Sequence, residues 1–188
     1  MILPFTLVRF CWAALGLYWI VSALGTKKTA VNENSATRVT RLSILALTLV
    51  LLLTHRLSIG PLAHRFIPLS PEIAWFGVGL TALGVALAIW ARATLGRNWS
   101  DKVVLKVDHE LIRRGPYGYL RHPIYTGVLL AVAGTALTVG KWSGIIALLL
   151  LGTTYFLKAM RGEELLATNF GEAFADYKKQ TGFFLPRL

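Results

Sequence analysis

Apolar residues fall in five uncharged runs along the chain, and this pattern predicts five helices. The runs are Phe10–Thr26, Leu42–His55, Ile73–Ala91, His122–Gly140 and Trp142–Leu157. The third and fourth runs approach the length of about 20 residues that crosses the hydrocarbon core of a bilayer. The shorter runs are bordered by Arg9, Arg56 and Lys158, whose long side chains can extend to the interface. We therefore expect an all-α integral membrane protein with about five transmembrane helices.

Basic residues are distributed unevenly over the predicted loops, and this asymmetry orients the chain. If the N-terminus lies outside, 16 of the 20 Lys and Arg side chains fall on the inner side of the membrane. The other four are Arg9, Arg56, Arg65 and Lys141. Short inner loops of membrane proteins carry such an excess of positive charge. We predict an outer N-terminus and a cytosolic C-terminus, and expect a prokaryotic cytoplasmic membrane as the location.

The composition supports a membrane protein and excludes several other classes. Hydrophobic residues make up 55% of the 188 residues and charged residues 15%, with a mean hydropathy of +0.57. An average soluble domain has about a quarter charged residues, so an ordinary soluble enzyme or a disordered chain does not fit. The single cysteine, Cys11, excludes an internal disulfide framework. The net charge of +11 indicates contact with anionic lipid head groups rather than with nucleic acid.

Local signals predict where individual helices begin and pack. The segment Ser70-Pro71-Glu72 has the N-cap, the first-position proline and the first-turn acid of a helix start. The short connection Gly140-Lys141 predicts an antiparallel hairpin of the last two helices. Gly77, Gly79 and Gly84 lie inside the third helix with no preceding strand, so they indicate helix packing rather than a phosphate-binding loop.

Two segments on the predicted inner face carry most of the remaining polar chemistry. The connection 92–121 is long for a compact bundle, and long connections of this kind are typically functional or disordered. Pro123 suits the first turn of the fourth helix, which places His122 at a positive helix terminus where anions bind. After the fifth helix, an apolar stripe predicts an amphipathic helix that lies against the membrane or the connection. Its members are Leu166, Phe170, Phe174 and Tyr177.

These two segments also carry a recognisable motif. Gly115-Pro116-Tyr117 precedes Arg121-His122-Pro123-Ile124-Tyr125-Thr126-Gly127, and Glu163-Glu164, Phe170-Gly171 and Tyr177 follow. The pattern resembles the isoprenylcysteine carboxyl methyltransferase family and the related phospholipid methyltransferases. The resemblance covers residues 98–186 of a single membrane domain, 1–188, in which an N-terminal helix pair (1–60) precedes a methyltransferase core (72–188). It implies a cytosolic S-adenosylmethionine pocket, without a Rossmann domain, formed by the connection and the C-terminal amphipathic helix.

The resemblance implies a set of cofactor-binding residues, and general chemistry suggests a role for several of them. The set is His109, Glu110, Leu111, Ile112, Tyr117, Arg121, His122, Pro123, Ile124, Tyr125, Glu163 and Glu164. Arg121, His122 and the start of the fourth helix suit the methionine carboxylate. The sulfonium favours the aromatic faces of Tyr117 and Tyr125. The stretch 109–112 supplies the adenine slot by resemblance.

One carboxylate of the pair Glu163 and Glu164 suits the α-ammonium of the cofactor. Adjacent helical residues point about 100° apart, so only one of the two faces the pocket. The spacing to Phe170-Gly171 is about one residue shorter than the family pattern, and counting back from it favours Glu163. We expect Glu163 and Arg161 to be the catalytic residues, with Arg161 and Lys158 as candidates for holding a carboxylate acceptor. No metal site is predicted.

Three interpretations of the function compete. The first is methyl transfer to a lipophilic acceptor from the bilayer, with O-methylation of a prenylated cysteine carboxylate favoured over N-methylation of a phospholipid. The second is a sterol-reductase-like NADPH enzyme, since those enzymes carry a similar Arg-His-Pro string. The third is a scaffold or transport subunit, which the absence of Asp and Glu from the five apolar runs disfavours. Arg121 and His122 also suit simple anchoring of a helix to head groups.

Overall fold

The described part of the chain forms five α-helices, and the prediction of an all-α fold is confirmed. The structure, a computed structural model, describes residues 2–23, 35–53, 60–68, 70–96, 99 and 111–187. The helices are α1 (Ile2–Ala23), α2 (Ser35–Leu53), α3 (Pro71–Leu95), α4 (Pro123–Val139) and α5 (Trp142–Gln180). One-turn 3-10 helices lie at Gly60–Ala63 and Gly115–Gly118. No strand occurs within these described ranges.

The lengths and surfaces of the helices are those of a membrane protein. Among the described residues, α1, α3 and α5 are long and apolar enough to cross a membrane. α4 is apolar but shorter, and its 17 residues extend about 26 Å. Large apolar side chains such as Phe10, Phe76 and Leu149 are exposed, as a lipid-facing surface requires. The chain is therefore a helical membrane protein, for which five spans and an outer N-terminus stay predictions.

Glycines on facing sides of α3 and α4 bring the two main chains into contact, and we call this contact the α3–α4 seam. A Cβ atom on Gly84 would lie 2.5 Å from Gly127 O, and one on Gly77 would lie 2.5 Å from Gly134 O. The two helices are therefore so close that a side chain in place of either glycine would collide with the main chain of α4. The prediction of glycine packing is confirmed for Gly77 and Gly84, whereas Gly79 is exposed with open space around it.

Threonine hydroxyls add hydrogen bonds to the α3–α4 seam. Thr81 Oγ1 lies 3.3 Å from both Ala131 O and Thr135 Oγ1 across the two helices. Trp12 Nε1 donates to Thr135 Oγ1 at 3.0 Å, which links α1 to the same pair. Buried polar groups need such partners, and inside a membrane protein they hold neighbouring helices together.

The predicted helix start and helix hairpin are both present. Ser70 is the N-cap of α3, and its Oγ accepts a hydrogen bond from Ile73 N at 3.5 Å, with Pro71 in the first position. Gly140 follows the last residue of α4 with a φ of 68°, and its N–H donates to Ala136 O at 2.7 Å. This left-handed residue ends α4 and allows α5 to begin after one further residue.

Four chain segments meet at one end of the bundle, which we call the polar end. It comprises residues 92–96, 111–126 and 158–187. The end of α1 also lies there, because Arg92 Nη2 donates to Ser22 O at 2.7 Å. Gly115 lies close to Thr94 at the end of α3, and α4 begins nearby. The described part of the 92–121 connection and the C-terminal segment are therefore at the same end of the bundle.

α5 differs from the prediction in the place where it is interrupted. The sequence suggests a span ending near Leu157 and a separate amphipathic helix from Leu165, but the helix continues through this region. The interruption lies at Gly171, whose φ of 48° and ψ of −120° are accessible mainly to glycine. A straight helix of 39 residues would extend about 58 Å, about twice the hydrocarbon core. The charged residues that follow Lys158 therefore lie beyond the membrane-spanning part.

Candidate active site

The Glu163 carboxylate is the centre of a buried charged cluster at the polar end. Its side chain, on α5, is 6% exposed. Arg121 Nε donates to Oε1 at 2.6 Å, and His122 Nε2 lies 3.1 Å from the same oxygen. Lys178 Nζ lies 2.9 Å from the other oxygen, Oε2. A buried carboxylate is stable only when it is paired and hydrogen-bonded in this way. We call these four residues the Glu163 cluster.

The C-terminal segment holds the main chain of Arg121 and His122. Arg121 N donates to Gly182 O at 2.9 Å, and His122 N donates to Phe183 O at 3.3 Å. A Cβ atom on Gly182 would collide with Leu185 O, so the turn after α5 requires a glycine. The two site residues are therefore fixed by hydrogen bonds between segments that are far apart in sequence.

The Arg121 guanidinium joins the two parts of α5. Nε binds Glu163, which precedes the break at Gly171, while Nη1 donates to Thr181 O at 2.5 Å. Nη1 also lies 3.4 Å from Lys178 O. A fixed guanidinium fork is suited to holding several acceptors at once. Arg121 is therefore both a partner of the carboxylate and a structural link to the C-terminal segment.

Burial and neighbouring charges have opposite effects on the ionisation of the cluster. Burial raises the pKa of the Glu163 carboxyl, but hydrogen bonds from its three partners, first that of His122, outweigh burial and hold the pKa at about 2. Burial lowers the pKa of His122, and the Glu163 carboxylate offsets only part of this effect. At neutral pH Glu163 is therefore ionised and His122 is neutral, so the imidazole Nε2–H donates to the carboxylate.

Lys178 reaches Glu163 because α5 is broken between them. The 15 residues from Glu163 to Lys178 would rise about 22 Å in an uninterrupted helix, which is beyond the reach of the two side chains. The non-helical backbone at Gly171 turns the chain and brings Nζ to 2.9 Å from Oε2. A Cβ atom on Gly171 would meet no atom within 4 Å. Glycine is therefore required by the backbone conformation and not by crowding.

A row of aromatic rings extends from the Glu163 cluster toward the membrane-spanning part of α5. His122 stacks on Tyr125 with ring centroids 5.6 Å apart, and Tyr125 stacks on Tyr155 at 4.5 Å. The rings of Phe183 and His122 meet edge to face with their centroids 4.8 Å apart, and Lys158 Nζ lies 5.7 Å from the Tyr125 ring centre. Aromatic faces accept both apolar groups and cations. The row therefore extends from the charged Glu163 cluster, at His122, to the apolar part of α5, at Tyr155.

Tyr177 of the amphipathic stripe at the end of α5 packs on the segment before α4. Phe174 and Tyr177 are 1% and 4% exposed, and Tyr177 OH donates to Tyr117 O at 2.7 Å. Burial raises the pKa of Tyr177 to about 12, so the hydroxyl stays protonated and remains a donor. Of the two surfaces that the sequence allows for this stripe, the connection is the one that Tyr177 contacts.

Most of the predicted cofactor residues lie together at the polar end. Six of them, located before α4 or in its first turn, are buried or half-buried: Leu111, Ile112, Tyr117, Pro123, Ile124 and Tyr125. Tyr117 and Ile124 form one apolar cluster with Ala91 of α3, and Tyr125 packs against it. Because Tyr125 also stacks on His122, this apolar cluster adjoins the Glu163 cluster.

The remaining predicted residues differ in their exposure, and two of them lie outside the described ranges. Glu163 is buried, whereas the adjacent Glu164 and the nearby Arg161 are exposed on α5. His109 and Glu110 lie outside the described residues. Only one member of the glutamate pair is thus turned inward, as helical geometry requires.

Three contributors to the site are missing from the sequence-based set: Lys178, Thr181 and Phe183. The sequence pattern places Lys178 off the apolar stripe, and the other two lie after the last predicted helix. The available signal was the isolated Gly171 within a helical pattern, since such a glycine often marks a break. A break there changes which residues face Glu163.

The helices and the Glu163 cluster together define a small helical membrane protein with a charged site at one end of its bundle. The phospholipid methyltransferase family matches residues 73–173, more than half of the chain. This stretch includes Arg121, His122 and Glu163. The chain belongs to this family.

Relatives of the chain carry different functional names. The protein-S-isoprenylcysteine O-methyltransferase of Tribolium castaneum is 32% identical over 127 residues, covering 64% of this chain and 45% of that protein. The cobalt-zinc-cadmium resistance protein CzcN of Cupriavidus metallidurans is 28% identical over 141 residues, covering 71% and 65%. Both similarities extend beyond a single motif.

A solved structure supports the fold. The eukaryotic intramembrane Ras methyltransferase, isoprenylcysteine carboxyl methyltransferase, matches with a TM-score of 0.56 and 22% sequence identity. The match covers 84% of this chain and 54% of that one. This chain thus spans about half the length of the methyltransferases that it matches.

Proposed function

We propose that this chain is a membrane methyltransferase that uses S-adenosylmethionine and passes the methyl group to a lipophilic acceptor. The observation that carries the proposal is the buried Glu163 carboxylate, paired with Arg121 and His122 at the start of α4. Membership of the phospholipid methyltransferase family and the names of relatives support the same chemistry. The donor enters from water at the polar end, and the acceptor enters from the bilayer.

The groups at the polar end fit S-adenosylmethionine by their chemistry. Its α-ammonium needs a carboxylate, which Glu163 supplies, and its carboxylate suits the N–H donors of the Arg121 guanidinium. Its sulfonium suits the face of Tyr125, and its adenine suits the apolar cluster around Tyr117. Each part of the cofactor therefore has a residue of matching chemistry.

The residues of the chain act by binding and orientation. Bound S-adenosylmethionine supplies an activated methyl group, and its transfer is a direct displacement that needs no strong general base. Glu163, with a pKa of about 2, stays ionised across the physiological range. His122 keeps its Nε2–H on this carboxylate, and Arg121 ties the C-terminal segment to the site. The cluster thus holds its charges in place before any ligand binds.

A carboxylate on a prenylated cysteine is the acceptor that we favour. Lys158, at the aromatic row, and the exposed Arg161 are its cationic partners in this proposal. Lys158 lies where the apolar part of α5 ends, so a lipophilic chain and its charged head would meet there. N-methylation of a phospholipid amine is the second candidate, favoured by the family match.

Binding and product chemistry test the proposal on the purified full chain in detergent. We expect calorimetric titration with S-adenosylmethionine to saturate and titration with NADPH to show no binding. Saturable binding of NADPH alone would replace the methyltransferase by a reductase. Labelled methyl transferred to N-acetyl-S-farnesylcysteine would form a base-labile ester, whereas methyl transferred to phosphatidylethanolamine would be stable to base. The second product without the first would overturn the favoured acceptor.

We also propose that the polar end faces the cytosol. The unequal distribution of Lys and Arg side chains supports this orientation. With Cys11 replaced by alanine, Lys141→Cys should react with an impermeant thiol reagent from outside, and Lys179→Cys should react only after the membrane is opened. Reaction of both from the same side would contradict the orientation.

A further inference from the structure

Lys178 differs from the other partners of Glu163 in exposure and in the oxygen that it contacts. Its side chain is 47% exposed, whereas the side chains of Arg121 and His122 are each 11% exposed. Arg121 and His122 both contact Oε1, and Lys178 Nζ alone among the described residues contacts Oε2, at 2.9 Å. Glu163 therefore presents one oxygen to a buried pair and the other to an alkylammonium that is open to water.

We infer that Lys178 is a resident counter-ion of Glu163 that gives way to the α-ammonium of the methyl donor, an inference that rests on the proposed function. The donor's α-ammonium carries the same charge and the same N–H donors as Lys178 Nζ. Because Arg121 and His122 take up Oε1, Oε2 is the oxygen left for the ligand. Two ammonium groups repel each other at one carboxylate oxygen. Binding of the donor therefore requires the Lys178 side chain to turn outward.

The structure makes this exchange a movement of one side chain. The backbone of the segment stays held, since Arg121 binds Thr181 O and Tyr177 OH binds Tyr117 O. The Lys178 ammonium is joined to that backbone by a flexible four-carbon stem. In the absence of ligand, Lys178 compensates the negative charge of the Glu163 carboxylate. When the donor binds, its ammonium competes with Lys178 for that carboxylate. The competition should weaken donor affinity by about two- to fivefold, the equivalent of an exposed ion pair.

Calorimetry on the full chain in detergent tests the competition, with S-adenosylhomocysteine as the stable probe. Lys178→Gln should bind it about two- to fivefold more tightly than the unsubstituted chain. Lys179→Gln is the matched control, because Lys179 is exposed and pairs with Asp176 instead. It removes the same charge one residue away and should leave the affinity unchanged. Equal or weaker binding by Lys178→Gln would overturn the inference.

A probe without the amino group separates direct exchange from a general charge effect. The deaminated analogue of S-adenosylhomocysteine has no ammonium to compete with Lys178, so Lys178→Gln should bind it no better than the unsubstituted chain does. An equal gain for both probes would overturn the exchange. If the unsubstituted chain binds neither probe, the proposed function fails and this inference fails with it.

Amine reactivity gives a readout that does not depend on affinity. Acetylation of Lys178 is measured by mass spectrometry on the full chain. It should become faster when S-adenosylhomocysteine is bound, because the Lys178 ammonium then leaves the Glu163 carboxylate. Acetylation of Lys179 should stay constant as the internal control. Protection of Lys178 by the ligand would contradict the exchange, even if the affinity of Lys178→Gln rises.

Discussion

The α3–α4 seam and the Glu163 cluster are both buried, but different interactions hold them together. Along the seam, main chains touch at glycines such as Gly84 and Gly127, and packing supplies the stability. In the cluster, the charges of Glu163 and Arg121 compensate each other away from water. The seam therefore tolerates no added atom, whereas the cluster depends on the paired charges of Glu163 and Arg121.

The two regions are also connected through α4. Gly127 of the seam lies just over one helical turn after His122, so close packing at the glycine fixes the start of the helix. The arginine and histidine of the cluster precede that start directly. A rigid, uncharged contact thus positions a charged site. A substitution in the seam should therefore disturb both the seam and the Glu163 cluster, whereas a substitution in the cluster should disturb the cluster alone.

Gly84→Ala should have the largest effect, because it breaks the seam. The new Cβ atom would lie 2.5 Å from Gly127 O, so α3 and α4 would have to separate. We expect the free energy of unfolding to fall by about 3 kcal/mol, measured as a lower melting temperature in detergent. Gly79→Ala is the control, since its Cβ atom would stand in open space. Equal melting temperatures for the two variants would contradict the main-chain contact.

Glu163→Gln should have the next largest effect, because it removes the central charge of the cluster. Arg121 would stay buried without its carboxylate but would keep Thr181 O as an acceptor. We therefore expect a stability loss of about 2 kcal/mol and a loss of S-adenosylmethionine binding of at least about tenfold.

Glu164→Gln is the matched control for this substitution. Glu164 is exposed, so its replacement should change stability by less than about 0.5 kcal/mol and leave the affinity intact. If the titrations show the reverse order, Glu164 holds the donor's ammonium and the buried cluster is structural.

The comparison also explains what the sequence reveals and what it does not. Gly77 and Gly84 lie in one helix and repeat at helical spacing, so the seam is visible as a local pattern. Apolar runs likewise predict five helices, and Ser70 predicts the start of α3. The inward direction of one glutamate follows from helical geometry alone.

The rest of the cluster depends on contacts between distant segments. The hydrogen bonds of Arg121 N and His122 N go to Gly182 and Phe183, and no periodicity links these positions. Lys178 meets Glu163 only after the backbone turns at Gly171, and a single altered pair of dihedral angles decides that contact. Local patterns therefore predict the scaffold, and the family resemblance favours Glu163, but neither predicts its lysine partner.

Gly171→Ala tests how much of the cluster depends on that turn. An alanine at a φ of 48° and a ψ of −120° is strained by about 1–3 kcal/mol, so we expect a lower melting temperature and a weaker contact between Lys178 and Glu163. Gly162→Ala is the control, because Gly162 is helical and a Cβ atom there would meet open space. That variant should be unchanged or slightly more stable. If Gly171→Ala behaves in the same way, α5 is not broken at this residue.

Mild acid should have the smallest effect on stability. It should act on the Glu163 cluster, which contains titratable groups, and not on the uncharged α3–α4 seam. The pKa of His122 is lower in the folded chain than its usual value, so the unfolded chain binds a proton more readily. Its contribution to stability is therefore complete above about pH 6.5 and falls as the pH drops below that value, by at most about 1.4 kcal/mol per pH unit. The corresponding loss from Glu163 begins only near pH 4.5, because its folded pKa is about 2. Between pH 7.5 and 5.5, the melting temperature should therefore fall further for the unsubstituted chain than for His122→Gln, whose amide keeps an N–H for Glu163. A melting temperature that rises on acidification in the unsubstituted chain but not in the variant would mean that His122 is protonated beside the carboxylate.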